Sequence, residues 1–220
     1  MIKTPLAGWG RRRKIGTGLA GVGVVLILAG VGILAPPLLG VLHRSSNDHH
    51  LLQSWLGPNG ALTQVIPSQS ENPAGSSAPA TAAACGSGAP SSEFALLDFP
   101  SLPGIAGVAG NGNWSMLTQR SVVHYADSPG PGQPGNMLIA VHREPNFEPL
   151  GTLKVGDQIV VTNRSCKQFT YTISQIWVES PAQVTQLQSL SGGSYLTVIT
   201  CTPLWIDTSR IVIRAALTGS

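Results

Sequence analysis

Basic residues are scarce where a nucleic-acid-binding face would need them. The 220-residue chain has 13 Lys or Arg and 10 Asp or Glu. From Glu93 onward, seven Lys or Arg stand against eight Asp or Glu; before Glu93 the counts are six and two. The net positive charge therefore belongs to the N-terminus. Without a dense Lys/Arg patch downstream, nucleic acid is excluded as a partner, because such a face has to neutralise phosphates. Cysteine is scarce too: only Cys85, Cys166 and Cys201. Histidine offers no metal cage. His43, His49 and His50 lack a set of ligands at defined geometry and read as solvated.

Charge is absent altogether from residues 15–42, and that absence points to a membrane. The 21 residues of 15–35 make about 31 Å of helix, enough for a hydrocarbon core of about 30 Å. Arg11, Arg12, Arg13 and Lys14 precede the run. They predict a cytoplasmic N-terminus and an external C-terminal part. A cleaved signal peptide would have a shorter apolar region and an Ala-x-Ala site, and neither is found. Pro36 and Pro37 are expected to mark the helix end or a kink. Residues 57–92 are rich in Gly, Pro, Ser, Ala and Thr, with a single charge at Glu71. Such a stretch buries too little apolar surface to fold and reads as a tether. The more apolar 51–56 suits a membrane interface, where Trp55 would sit.

After Glu93, strand signals dominate: 94–99, 104–109, 121–125, 137–142, 158–163, 168–179, 194–201 and 210–217. Each is rich in β-branched, aromatic or aliphatic residues and is bounded by Gly, Pro, Asn or Asp. Eight short strands in this length predict a closed or nearly closed all-β barrel, since closure removes exposed edges. The best helix candidate is 181–190, with Pro181 in its first turn and Val184, Leu187 and Leu190 recurring at threes. A shorter helical turn is expected near 147–150, and a hairpin turn at 163–167.

Candidate chemistry gathers at strand ends. Thr197-Val198-Ile199-Thr200-Cys201 reads as an apolar strand ending on a thiol, and Arg210 opens the next strand nine residues later. His142 ends the strand Met137-Leu138-Ile139-Ala140-Val141. A thiol nucleophile, a fixed cation and a histidine brought together by the fold is the logic of thiol acyl transfer. Each has a bland alternative. Cys201 alone could be a buried inert thiol, and His124 rivals His142 on pattern. Arg143 and Arg214 rival Arg210, although Arg214 lies four residues, about 13 Å, further along the same strand. Cys85 and Cys166 are the remaining pair, and nothing in the sequence fixes Cys85 against the 163–167 turn, so their bond is left open.

These segments together resemble the sortase family. Gly135-Asn136-Met137-Leu138-Ile139-Ala140-Val141-His142-Arg143 is similar to its histidine motif, and Val198-Ile199-Thr200-Cys201 to its TLxTC motif. The spacing from Cys201 to Arg210 resembles that of the class D and E groups. Phe94-Ala95-Leu96-Leu97-Asp98-Phe99-Pro100 is similar to the entry strand, and Leu153-Lys154-Val155-Gly156-Asp157-Gln158-Ile159-Val160-Val161 to the xLxxGDxIxV strand. Two positions depart: Val141 stands where a small residue is usual, and Val198 replaces a leucine. Neither removes a reacting group.

The resemblance implies an eight-stranded sortase-like barrel with short helices. It implies cleavage of an LPxTG-like sorting motif by Cys201, with His142 protonating the leaving amine and Arg210 on the oxyanion. Val198, Thr200 and Trp205 are the candidate substrate contacts. The chain would pass from a surface protein with a C-terminal sorting motif to an amine of a peptidoglycan precursor or a pilin. No cofactor is implied. Calcium dependence, found in part of the family, needs a carboxylate cluster not located in this sequence. The expected organisation is a cytoplasmic basic segment at 1–14, a transmembrane helix at 15–42, a flexible extracellular linker at 43–92 and a catalytic domain at 93–220. Nothing before His124 is expected to serve the chemistry. The alternatives are a thiol hydrolase and a non-catalytic wall-binding barrel.

Overall fold

The first helix, α1 (Arg12–Leu56), carries no charged residue over 15–42. A computed structural model describes residues 12–57 and 85–220. Most of the basic segment 1–14, and residues 58–84 of the tether expected over 57–92, lie outside the described residues. The chain divides into two units, Met1–Leu42 and His43–Ser220. In the first, Val25, Leu26, Ile27, Leu28, Ile33 and Leu34 are all exposed. The segment Gly21–Leu56 holds a window of mean hydropathy 2.4 with none of it buried. It is the one helix among the described residues long and apolar enough to cross a membrane. Pro36 and Pro37 do not end the helix, which continues to Leu56; prolines are tolerated in such helices when the freed backbone groups find other partners.

The second unit is a closed barrel. Its strands are β1 (Glu93–Asp98), β2 (Ala106–Gly112), β3 (Val122–Tyr125), β4 (Gly135–Val141), β5 (Gln158–Asn163), β6 (Gln168–Glu179), β7 (Ser194–Thr202) and β8 (Ser209–Gly219). Around the barrel they run β1-β2-β3-β4-β7-β8-β6-β5. The pairs β2·β3 and β4·β7 are parallel and the others antiparallel. Alternation along each strand sends one set of side chains inward. Leu97, Ile139, Ile159, Tyr171, Leu196, Val198 and Ile213 are sealed inside. His124 is buried, stacked on Phe94 at 3.9 Å and bonded to Asn111 Oδ1 at 2.7 Å.

Two expectations change. The helix expected over 181–190 reduces to a 3-10 turn at Thr185–Leu187. Asn136 Nδ2 donates to the carbonyls of Gln186 (3.1 Å) and Gln188 (3.2 Å), which ties this loop to β4. Val184 and Leu187 are exposed, so their spacing faces no core. The shorter turn expected near 147–150 forms as a 3-10 helix, Glu148–Thr152.

The second change concerns 43–56, read from sequence as linker. These residues are helical and belong to the barrel unit. Leu51 and Trp55 are buried with Ala89, Leu96 and Val108, so Trp55 packs on protein. Asp48 accepts from the Ser121 backbone N at 2.9 Å and from Asn146 Nδ2 at 3.0 Å, and Asn47 Nδ2 donates to the Gln119 carbonyl at 2.9 Å. The segment 85–92 closes over the helix. Cys85 and Cys166 form a disulfide with Cα atoms 5.0 Å apart. Arg164 spreads its guanidinium over the carbonyls of Gly86, Ala89, Pro90 and Glu93, with the Trp55 ring 5.7 Å away. Gly86 is required there: its φ is +68°, and a Cβ would come within 2.5 Å of the Trp55 ring. The sequence hid this because only Leu51 and Trp55 bury well on one side, too few to give a periodic signal.

Trp55→Ala should lower the stability of the barrel unit by about 3–5 kcal/mol through lost burial and the cavity left behind. Cys85→Ser should lower it by about 2–5 kcal/mol. Denaturant unfolding of the native chain and of each variant, all starting at His43, checks both, with a chain starting at Glu93 for comparison. Equal midpoints for the two native chains would show that the docked helix contributes nothing.

Candidate active site

The site is built by three neighbouring strands. In β4 the inward residues are Met137, Ile139 and Val141, so alternation turns Asn136, Leu138, Ala140 and then His142 to the outer face. In β7, Leu196 and Val198 point inward, and Thr197, Ile199 and Cys201 take the outer face. In β8, Ile211, Ile213 and Ala215 point inward, leaving Arg210 and Arg214 outside. Register aligns the three faces. Val141 pairs with Thr200 across the parallel β4·β7 ladder, which sets His142 level with Cys201. Cys201 pairs directly with Arg210 across β7·β8. His142, Cys201 and Arg210 line one cavity of about 510 Å³. Its apolar walls include Trp114, Leu117, Ala140, Val184, Leu187 and Ile199.

The electrostatics hold the pair in neutral form at rest. Burial pushes the Cys201 thiol up; Arg210 opposes this, while the charges of Asp207 and Glu144 and a hydrogen bond to Asp207 push it further up. Burial pushes His142 down, Arg44 adds to that, and Asp207, Glu144 and Asp48 oppose it. A raised thiol and a lowered histidine leave thiol and imidazole, not the ion pair, as the main species at neutral pH. His142 Nδ1 is buried with no hydrogen-bond partner among the described residues. Arg210 Nη1 donates to the carbonyls of Asp207 and Ser209, each at 3.0 Å.

The remaining sequence candidates fall elsewhere. Val198 is fully buried in the barrel core, so its part is packing and it leaves the set of substrate contacts. Thr200 is 1% exposed and donates through Oγ1 to the Val141 carbonyl at 2.8 Å, tying β7 to β4 beneath the cavity it borders. Trp205 is 63% exposed on the β7–β8 loop, outside the cavity lining, with φ of +63°. Arg214 lies over the Trp177 ring at 4.9 Å. Arg143 turns away from the cavity and bonds the carbonyl of Glu148 (3.1 Å), the Cys201 carbonyl (3.4 Å) and Thr202 Oγ1 (3.3 Å), bracing the strand end that carries the thiol. Gly151 makes room for it, since a Cβ there would meet Arg143 Nη2 at 2.0 Å.

Three neighbours of the site were missed in the sequence. Asp207 sits inside the Cys201–Arg210 spacing, where an acid between thiol and arginine was the available signal. Glu144 is buried and accepts from the Trp205 backbone N at 2.9 Å, pinning the β7–β8 loop. Arg44 reaches the cavity from α1, and no sequence signal links it to residues a hundred positions away.

Alkylation of Cys201 by iodoacetamide should climb steadily with pH and still be rising above about 8.5, where a free cysteine is half ionised. The sign follows from the raised thiol pKa, which leaves less thiolate at any given pH. Asp207→Asn removes a carboxylate that disfavours the thiolate and should make alkylation at pH 7 severalfold faster. A native rate already flat at pH 7 would contradict this account.

Comparison with known proteins agrees with the geometry. The sortase domain family matches residues 98–218. Sortase SrtE1 of Streptomyces coelicolor is 33% identical over 145 residues, 58% of this chain and 41% of that protein. Sortase A of Streptococcus agalactiae is 38% identical over 71 residues, 32% of this chain and 28% of that protein. The chain thus spans less than half the length of these curated relatives. Among solved structures, a Clostridium perfringens sortase D5 transpeptidase matches at 28% identity and TM-score 0.52, covering 60% of this chain and 81% of that one. Sortase C1 of Streptococcus agalactiae matches at 27% identity and TM-score 0.54, covering 59% and 69%. With more than half of its length matched by the domain family, on the same closed barrel, the chain belongs to the sortase family.

Proposed function

We propose that this protein is a membrane-anchored cysteine transpeptidase whose barrel works outside the cell. It cleaves an LPxTG-like sorting motif and passes the acyl chain to an amine of a peptidoglycan precursor or a pilin. The observation that carries this is the register that puts Cys201 opposite Arg210, and His142 at the end of the adjoining parallel strand, around one cavity. The apolar helix around 15–42, with basic residues before it, supports anchoring with the N-terminus in the cytoplasm.

The chemistry follows from these groups. Proton transfer from Cys201 to His142 gives thiolate and imidazolium. The sulfur attacks the carbonyl of the motif's threonine, and charge builds on that oxygen. Arg210 offers planar donors to it once the guanidinium turns from the loop carbonyls. The tetrahedral species collapses as the imidazolium gives its proton to the leaving amine, leaving a thioester. An incoming amine then attacks the thioester, loses its proton to the imidazole, and the thiolate leaves. Water in place of the amine gives hydrolysis, so the product mixture separates transpeptidase from thiol hydrolase.

Cys201→Ala should abolish turnover with the fold intact. Arg210→Lys should cut acylation by about 10²–10³, because a mobile ammonium replaces a fixed planar donor on the oxyanion. Mass spectrometry of products from a sorting-peptide library, with and without an added amine, checks the assignment. Lysine-variant acylation within about threefold of native, under 1 kcal/mol, would move the oxyanion role to backbone amides. Turnover persisting in Cys201→Ala would end the thiol mechanism.

A further inference from the structure

Two cations reach the cavity, and the thiol mechanism uses only one. The second is Arg44, on the docked end of α1. Its Nε is buried without a hydrogen-bond partner among the described residues. The acid best placed to neutralise it along the helix is Asp48, four residues on, but both Asp48 oxygens are engaged. Oδ1 takes the Ser121 backbone N, and Oδ2 takes Ser121 Oγ and Asn146 Nδ2. The same bonds, with Asn47 on the Gln119 carbonyl and Ser45 Oγ on Asn146 Oδ1 at 3.1 Å, fix the helix turn that carries Arg44. Among the described residues, no carboxylate lines the cavity. Arg210 meanwhile has Nη1 turned to its own loop. The cavity therefore presents apolar walls, a thiol and, besides Arg210, a second guanidinium with no ion-pair contact among the described residues.

We propose that Arg44 is a specificity-determining residue of this site, and that it takes a carboxylate carried by the reacting partners. The carboxylate comes either from an acidic residue of the peptide donor or from the amine acceptor. The proposal rests on the thiol-transfer reading of Cys201 and deepens it. Arginine suits the task, since its planar fork meets a carboxylate with two charge-assisted bonds. Arg44 then does a second thing from the same position. It stands with Asp207, Glu144 and Asp48 among the charges acting on His142, and its cation disfavours the imidazolium. A carboxylate bound on Arg44 cancels that effect, so arrival of the right partner favours the protonated histidine that the chemistry needs. The groups acting on the thiol are Arg210, Asp207 and Glu144. Arg143 faces the other side of the strand end and bonds the Cys201 carbonyl.

The test uses the full chain in detergent and two small alkylators of Cys201, iodoacetate and iodoacetamide. Both need the thiolate, so their rate ratio at one pH is independent of thiol ionisation, and only iodoacetate carries a carboxylate. Arg44→Gln should lower the iodoacetate-to-iodoacetamide ratio by about tenfold, the scale of one lost charge-assisted interaction, and Arg44→Lys should keep part of it. The ionisation of His142, followed by NMR, should move upward in Arg44→Gln. Thermal unfolding confirms that the helix stays docked through Trp55 and Asp48. An unchanged ratio in folded Arg44→Gln overturns the proposal. Donor peptides with and without an acidic residue, and acceptors as free acid or amide, then identify the source: dependence on Arg44 falls on the arm that carries the carboxylate. Because the alkylation ratio needs no sorting peptide, failure of the transpeptidase reading shows in the product assay and leaves this result standing.

Discussion

The parallel pairing of β4 with β7 is the constraint on which the site depends. A parallel pair cannot be closed by a short turn, so β5 and β6 have to be laid down elsewhere before the chain returns. That return inserts β7 between β4 and β8, and both ladders are locked by buried side chains. A slip of one residue in β7 would turn Leu196 and Val198 out to solvent and Cys201 into the core. Burial of the barrel interior therefore fixes the chemistry on its outside. The bond from Thr200 to the Val141 carbonyl pins the same register at the level of the thiol.

Around that row, polar contacts hold the loops that complete the cavity. Asn136 bonds Gln186 and Gln188 from below and accepts from Thr197 Oγ1 at 2.7 Å, so the β6–β7 loop is tied to the same two strands that carry His142 and Cys201. Glu144 ties the β7–β8 loop through Trp205, and Arg143 braces the end of β7. Buried polar groups of this kind are costly unless paired, and pairing them with backbone specifies one loop geometry. In the resting state that results the reacting pair is neutral, with burial raising the thiol and lowering the imidazole.

The end of α1, from His43 onward, belongs to the barrel unit. Fourteen residues expected to be part of the linker instead bury Trp55 and Leu51, recruit the disulfide-bonded segment after Cys85, and bring Arg44 to the cavity. Stability and recognition meet there: the contacts that dock the helix are also those that aim its guanidinium.

How much was legible follows from the range of each interaction. Alternating β-branched residues and turn clusters are local, so the sequence by itself determined eight strands, their approximate bounds and an all-β barrel, together with an uncharged apolar run long enough to cross a membrane. It also marked His142, Cys201 and Arg210, because the motifs that resemble the sortase family match at those positions; strand pattern alone left His124 open against His142. What it could not determine were the relations between distant residues. The choice between Cys85 and no partner for Cys166, the docking of 43–56, the inward aim of Val198, the arrival of Arg44 beside His142 and that of Asp207 and Glu144 beside the thiol were decided by tertiary structure. The failed helix at 181–190 has the same origin. Its spacing of apolar residues is a local signal, but Val184 and Leu187 are exposed and meet no core, so no tertiary burial stabilises a helix there, and Asn136, some fifty positions away, ties the loop to β4 through the Gln186 and Gln188 carbonyls instead.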